Sequence, residues 1–245
     1  MPPPVTYWLS WGSGLQPLID IQGLTYDYED GTQALSGVDF QLMPEETVIL
    51  FGANGSGKTT FLLHLNGLLQ GLGQISICGM ELSASNMTQI RSRVGMVFQD
   101  SDEQLFMPTV LEDVAFGPLH QGLSPEEAEL TARSALRSVG IAGLEHRAPY
   151  HLSAGEKKRV AIAGVLAMKP DILVLDEPTT FLDPPGQRGL IQILRSLPQA
   201  KIIATHDTYF AQALGTRGVF FEKGKIKGAG GVIQLMEQFS WRPSD

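Results

Sequence analysis

From Leu18 onward the chain alternates short β-branched, apolar runs with longer stretches whose apolar residues recur every three or four positions. The pattern predicts strands at Leu18–Leu24, Val38–Leu42, Val48–Phe51, Gln74–Ile77, Val94–Phe98, Ile172–Asp176, Lys201–Thr205 and Val219–Glu222. It predicts helices at Lys58–Leu69, Thr109–Phe116, Pro125–Val139, Gly155–Met168 and Gln187–Leu197. Ile172-Leu173-Val174-Leu175 is apolar at every position, as a strand covered on both faces must be. Ser124-Pro125-Glu126-Glu127 reads as a helix start, with a capping serine and a glutamate three residues on, and Gly140 as its stop. Strand–helix alternation implies an α/β fold with a largely parallel sheet. Between about Asp100 and Ala163 the strand signals vanish, and that block reads as an inserted helical subdomain.

Hydrophobic residues make up 43% and charged residues 18%, so the 245-residue chain can bury a sizeable core. Lys+Arg total 18 against Asp+Glu 26; the resulting charge of -8 argues against a dedicated nucleic-acid binder. The single cysteine, Cys78, excludes an internal disulfide and a cysteine-based zinc site, and fits a reducing compartment. The best apolar run, Val160–Met168, is about half a membrane span. Residues 1–17, rich in Pro, Gly, Ser and Trp, read as a disordered tail, the rival being a docking segment built on Trp8 and Trp11. They lack the features of a signal peptide. Residues 18–240 then form one domain, read as cytosolic, with any membrane contact made through a partner.

Gly52-Ala53-Asn54-Gly55-Ser56-Gly57-Lys58-Thr59 fits G-x-x-x-x-G-K-[ST] in its required context, after a strand and before a helix. Glycines let successive N–H groups converge on a phosphate, Lys58 supplies a point charge, Thr59 offers a hydroxyl to Mg²⁺, and the helix start adds partial positive charge. Asp176-Glu177 closes the apolar strand at the edge where parallel sheets hold ligands, so Asp176 is expected beside this loop. Asp176 suits a water-mediated Mg²⁺ contact, and Glu177 the polarisation of an attacking water. His206 ends another strand at that edge, placed to sense a γ-phosphate. Ser153-Ala154-Gly155-Glu156 is a capping box, and a helix start of this kind also receives phosphate. The run Lys157-Lys158-Arg159 reads as a solvated face that adds local positive charge.

In this order the motifs resemble the ATPase subunit of an ABC transporter over about residues 18–230. Gly52–Thr59 is similar to its Walker A motif, Gln99 to its Q-loop glutamine and Leu152–Glu156 to its LSGGQ signature. Ile172–Glu177 is similar to Walker B, Phe181-Leu182-Asp183 to the D-loop and His206 to the switch histidine. Within that family, Val97–Phe106, Val114–Pro118, Met107–Val110, Lys157–Gly164 and Leu197-Pro198 resemble energy-coupling-factor importers, most of all the cobalt/nickel branch.

The resemblance implies that ATP is held by Tyr28 against its adenine and by Gly52, Ala53, Asn54, Gly55, Ser56, Gly57, Lys58, Thr59 and Thr60. Ser153, Gly155, Glu156 and Asp183 complete the site from a second subunit. Mg²⁺ is expected through Thr59, Gln99 and Asp176, and catalysis through Glu177, His206 and Gln99. It further implies a head-to-tail dimer, membrane-embedded partner subunits, a peripheral place on the cytoplasmic face of the membrane, and no direct binding of the transported species. Ala154 and Glu156 stand where the signature has Gly and Gln, and Phe181 where the D-loop has a small residue. A vitamin-type importer and a soluble ABC ATPase without a membrane partner share every nucleotide motif. A P-loop GTPase is disfavoured by the lack of an Asn-Lys-x-Asp motif.

Overall fold

The computed structural model describes residues 16–241. The expected tail, with Trp8 and Trp11, therefore lies almost wholly outside the described residues.

The chain builds two sheets. β1 (Ile19–Asp27), β2 (Gln33–Leu42), β4 (Leu72–Ile77) and β5 (Met80–Glu81) form an antiparallel sheet in the order β2-β1-β4-β5. The larger sheet runs β10-β9-β3-β8-β7-β6. Its members are β3 (Thr47–Phe51), β6 (Val94–Val97), β7 (Ile172–Asp176), β8 (Ala200–Ala204), β9 (Arg217–Glu222) and β10 (Lys225–Gly230). All neighbours in it are parallel except β10, which closes one edge antiparallel to β9.

β3, β7 and β8 are buried at every position. Their side chains alternate between two cores, as a period of two requires. Val48, Leu50, Val174 and Ile202 face a core shared with the antiparallel sheet and with α1 (Lys58–His64), whose Phe61 and Leu62 fill it. Ile49, Phe51, Leu173, Leu175 and Ile203 face a second core. Its opposite wall includes α3 (Val110–His120), α4 (Pro125–Ser138), α5 (Ala154–Ala167) and α6 (Pro184–Ser196). No described residue between β6 and β7 forms a strand, so the helical insertion read from the sequence is present.

Both serine caps act as the sequence predicts. Ser124 and Ser153 each accept from the backbone N–H three residues on, at 3.3 Å, while Glu127 and Glu156 reach back to the cap N–H at 3.0 and 2.8 Å. Helix α1 stops at His64, five residues before the expected Leu69, because Gly67 turns the chain at φ 67° and a Cβ there would strike the side chain of Met87. α2 (Met87–Arg93), α7 (Thr208–Leu214) and α8 (Val232–Gln238) were not predicted, nor were β5 and β10. α2 buries Ile90 alone and so shows no apolar stripe; β10 is an edge strand with three glycines among its last four positions counting Gly231 after it.

Candidate functional site

The C-terminal ends of β3 and β7 bring the expected residues together. Gly52 leaves β3 at φ 139°, where a Cβ would lie 2.3 Å from the Phe221 carbonyl oxygen, so only glycine fits. Ala53, Asn54 and Gly55 form the exposed crest of the loop. Gly57 at φ 105° begins α1 and gives that helix no side-chain cap, which leaves its first N–H groups to an anion. Ser56 is buried, and its Oγ has no hydrogen-bond partner.

Lys58 is buried under the loop, and its Nζ donates to the carbonyls of Gly52 (2.6 Å) and Ala53 (3.1 Å). Burial lowers its pKa, while Glu177 and Asp176 pull it upward. The Thr59 hydroxyl donates to Asp176 Oδ2 at 2.8 Å, which places the strand-end aspartate beside the loop as expected. Burial raises the Asp176 pKa against three opposing influences: the Thr59 bond, Lys58 and Lys158. Thr59 and Asp176 offer hard oxygen donors that suit Mg²⁺. Among the described residues no group of three or more His, Cys, Asp or Glu could cage a metal.

Glu177, the next residue, sits at φ 41° with its carboxylate nearly buried. His206 follows β8 and grips that carboxylate twice: its backbone N–H donates to Oε2 at 3.3 Å, and its ring Nδ1 donates to Oε1 at 2.9 Å. With Nδ1 carrying the hydrogen, Nε2 is the free face of a ring whose side chain is 65% exposed.

Tyr28, at the end of β1, shares a hydrogen bond with Thr60 Oγ1 at 2.9 Å. Its ring packs edge-to-face on Tyr26 at 5.1 Å, and Tyr26 packs in turn on His64 at 4.9 Å. This support for Tyr28 was not anticipated from the sequence; the two tyrosines two positions apart were its only signal.

Other expected residues stand apart. Ser153 and Glu156 hydrogen-bond to one another, with Ser153 Oγ donating to Glu156 Oε2 at 2.7 Å. Among the described residues no hydrogen bond ties Ser153, Gly155 or Glu156 to the Gly52–Thr60 loop. Asp183 caps α6, accepting from the Gly186 N–H at 2.8 Å. Gln99 follows β6 with an exposed side chain.

Of the Lys157-Lys158-Arg159 run, Lys158 is buried rather than solvated, and Lys157 is tied to Asp102 at 2.6 Å. The sequence did carry the signal: Lys158, Ala161, Ile162 and Val165 follow i, i+3, i+4, i+7, so the lysine heads the buried stripe of α5.

A phosphate loop over a parallel sheet, with a strand-end aspartate on its threonine and a histidine-held glutamate beside it, defines the class: a P-loop nucleoside triphosphatase. The family model described as "ABC transporter" matches residues 35–180. A putative ABC transporter ATP-binding protein of Streptomyces avermitilis is 49% identical over 221 residues, covering 90% of this chain and 84% of that protein. The energy-coupling factor transporter ATP-binding protein EcfA of Methanothermobacter thermautotrophicus is 46% identical, over 89% of this chain and 72% of its own length. Among solved structures, cbiO1 from Clostridium perfringens, part of the ABC transporter complex cbiONQ, superposes with a TM-score of 0.82 at 34% identity, over 91% of this chain and 92% of that one. The ATP-binding cassette MJ0796, in a dimeric post-hydrolysis state bound to ADP and Pi, gives 0.79 at 28% identity, over 87% of this chain and 98% of its own. The chain belongs to the ABC transporter family, as an ATPase subunit of the energy-coupling-factor type.

Proposed function

We propose that this ATPase energises an importer of cobalt or nickel ions, working as a dimer of two copies with Mg·ATP between the Gly52–Thr60 loop of one and the Ser153–Glu156 helix start of the other. The observation that carries the catalytic part is that Thr59 bonds to Asp176 and His206 to the adjoining Glu177, at one sheet edge. In this reading Lys58 and the N–H groups of the loop hold the phosphates, and Tyr28 lies against the adenine. Thr59, Asp176 and Gln99 hold Mg²⁺, which when bound neutralises charge on the β- and γ-phosphates. Glu177 accepts hydrogen from the attacking water, and His206 holds Glu177 in place while offering Nε2 toward the γ-phosphate. In the same reading Asp183, exposed at the end of the loop after β7, meets the second copy.

A docking site for a membrane-embedded subunit is supported by a groove of about 640 Å³ between the Gln104–Phe106 segment, α2, α3 and α5. Phe106 is 64% exposed at its rim and meets Phe116 edge-to-face at 5.0 Å. Leu105 and Met168 add apolar wall, while Arg91, Asp113 and His120 are among several polar residues that line it. This fits an amphipathic helix. No helix among the described residues is long and apolar enough to cross a membrane. The metal-ion assignment is supported by the Met107–Val110 and Lys157–Gly164 segments, which resemble the cobalt/nickel branch.

The test is uptake of radioactive cobalt or nickel by cells that carry this subunit and its co-purifying membrane partners and lack another importer. Lys58→Ala is expected to abolish uptake together with nucleotide binding. Phe106→Asp is expected to abolish uptake and co-purification while leaving ATP affinity unchanged. Robust uptake of a vitamin instead of either metal would replace the cargo and keep the ATPase.

A further inference from the structure

The second turn of α5 holds a buried cation that the chemistry above does not use. Lys158 is 3% exposed, and its Nζ donates to the carbonyl oxygens of Phe98 (3.0 Å) and Gln99 (2.8 Å). Both belong to the loop that leaves β6. The carboxylates of Asp100 and Asp176 also attract it. Burial pushes the ammonium down to about 8, which leaves it mostly protonated at neutral pH.

Packing alone does not call for this charge. The neighbours along the stripe are Ala161, Ile162 and Val165, and a leucine or methionine at 158 would continue them without desolvating an ion. What the lysine adds is a fixed link between two elements. Its nitrogen holds the main chain of Gln99 itself, so the Cα from which the glutamine side chain projects is held too. Its backbone belongs to the helix whose N-cap is Ser153, five residues earlier and about 7.5 Å along the axis.

We propose that Lys158 is a positioning residue that fastens the Gln99 loop to the Ser153 helix, so that the glutamine serving one nucleotide and the helix start serving the other move as one body. The proposal rests on the reading of Gln99 and Ser153 as nucleotide contacts. The lysine touches no substrate in this account; it acts through Gln99. The attraction between Lys158 and Asp176 gives the same joint an electrostatic hold on the core of the site.

The experiment is a double-mutant cycle on ATP hydrolysis at saturating Mg²⁺. Lys158→Met is expected to lower kcat about tenfold, the scale of losing charged hydrogen bonds, with KM for ATP within about twofold. In a Gln99→Ala background the same change is expected to cost less than about twofold, because its route is already cut. Lys158→Arg, which can still donate to both carbonyls, is expected to recover most of the turnover. An undiminished kcat in Lys158→Met, or the full tenfold loss repeated in the Gln99→Ala background, overturns the proposal. Should Lys158→Met fail to fold, Lys158→Gln keeps a donor without the charge and passes through the same cycle under the same criteria. Hydrogen exchange without nucleotide gives a second reading, independent of hydrolysis. The amides of residues 99–104 are expected to exchange faster in Lys158→Met while those of α5 beyond Val160 stay protected. Unchanged exchange at 99–104 would also overturn the link. A wild-type protein that shows this protection but no turnover would sink the ATPase reading and leave the link standing.

Discussion

The loop after β3 turns through three positive-φ residues, and all are glycine: Gly52 at 139°, Gly55 at 76° and Gly57 at 105°. The loop after β7 turns through two, and neither is: Glu177 at 41° and Phe181 at 67°. The first loop presents its main chain, so side chains are an obstruction; a Cβ on Gly57 would come within 2.6 Å of the Ala34 carbonyl oxygen. The second loop presents a carboxylate, and a glycine at 177 would relax the backbone by removing that carboxylate. Strain of roughly 1–3 kcal/mol per residue persists at such positions when the surroundings hold them. For Glu177 the hold is visible in the two hydrogen bonds from His206. For Phe181 burial offers no return, since the residue is 77% exposed.

Glu177→Gln has the largest expected effect. The amide keeps the shape and an acceptor for His206, but not the basicity. Turnover is expected to fall by about 10²–10⁴-fold with nucleotide affinity retained. A loss of affinity equal to the loss of rate, in parallel binding and kinetic titrations, would recast Glu177 as a binding residue. Next comes Gly52→Ala, whose methyl meets a backbone carbonyl that cannot step aside; ATP affinity is expected to drop at least about a hundredfold, with about 1–3 kcal/mol lost from stability. Gly55→Ala is the control. Nothing lies within 4 Å of its would-be Cβ, so only the left-handed backbone costs, at about 1–2 kcal/mol. Equal damage from the two alanines would mean that the loop requires backbone freedom rather than room. The smallest effect is reserved for Phe181→Gly. Relief of the left-handed strain, offset by the entropy of glycine, is expected to raise stability by about 1 kcal/mol or less. That is about 2–4 °C or less in Tm for a domain this size, read by calorimetry. A fall in Tm would show that the phenyl ring has a stabilising contact outweighing its backbone.

The same contrast explains what the sequence revealed. Gly52–Thr59 was legible because main-chain chemistry demands glycine at fixed spacing, and β7 because burial on both faces leaves an unbroken apolar run. The helix starts at Ser124 and Ser153 were legible through serine and glutamate three apart. Elements whose stability comes from elsewhere left little trace: α2 buries only Ile90, and β10 is held as an edge by its ladder to β9. At the site, Lys158 escaped because two basic neighbours made a charge run look solvated, although its place in the α5 stripe was readable. The bond between Tyr28 and Thr60 spans 32 positions and depends on how the end of β1 meets α1, which no local pattern records.

The pairing of β3 carries a consequence for how the molecule is made. β1, β2 and β4 find their partners within residues 19–77, so the antiparallel sheet can close soon after those residues are synthesised. β3 waits. Thr47 pairs with Lys201 and Val48 also with Arg217, so both neighbours of the strand that leads into the phosphate loop come from the last fifth of the chain. At roughly 5–20 residues per second, the 154 positions between Thr47 and Lys201 take about 8–30 s to translate. During that interval five residues destined for full burial have no sheet to join, a state that invites aggregation and engages holdase chaperones. The strand that leads into the phosphate loop thus gains both of its neighbours only once translation has passed β9. A prematurely terminated chain that lacks β8 and β9 would contain every glycine of the phosphate loop and still have no sheet on which to mount it.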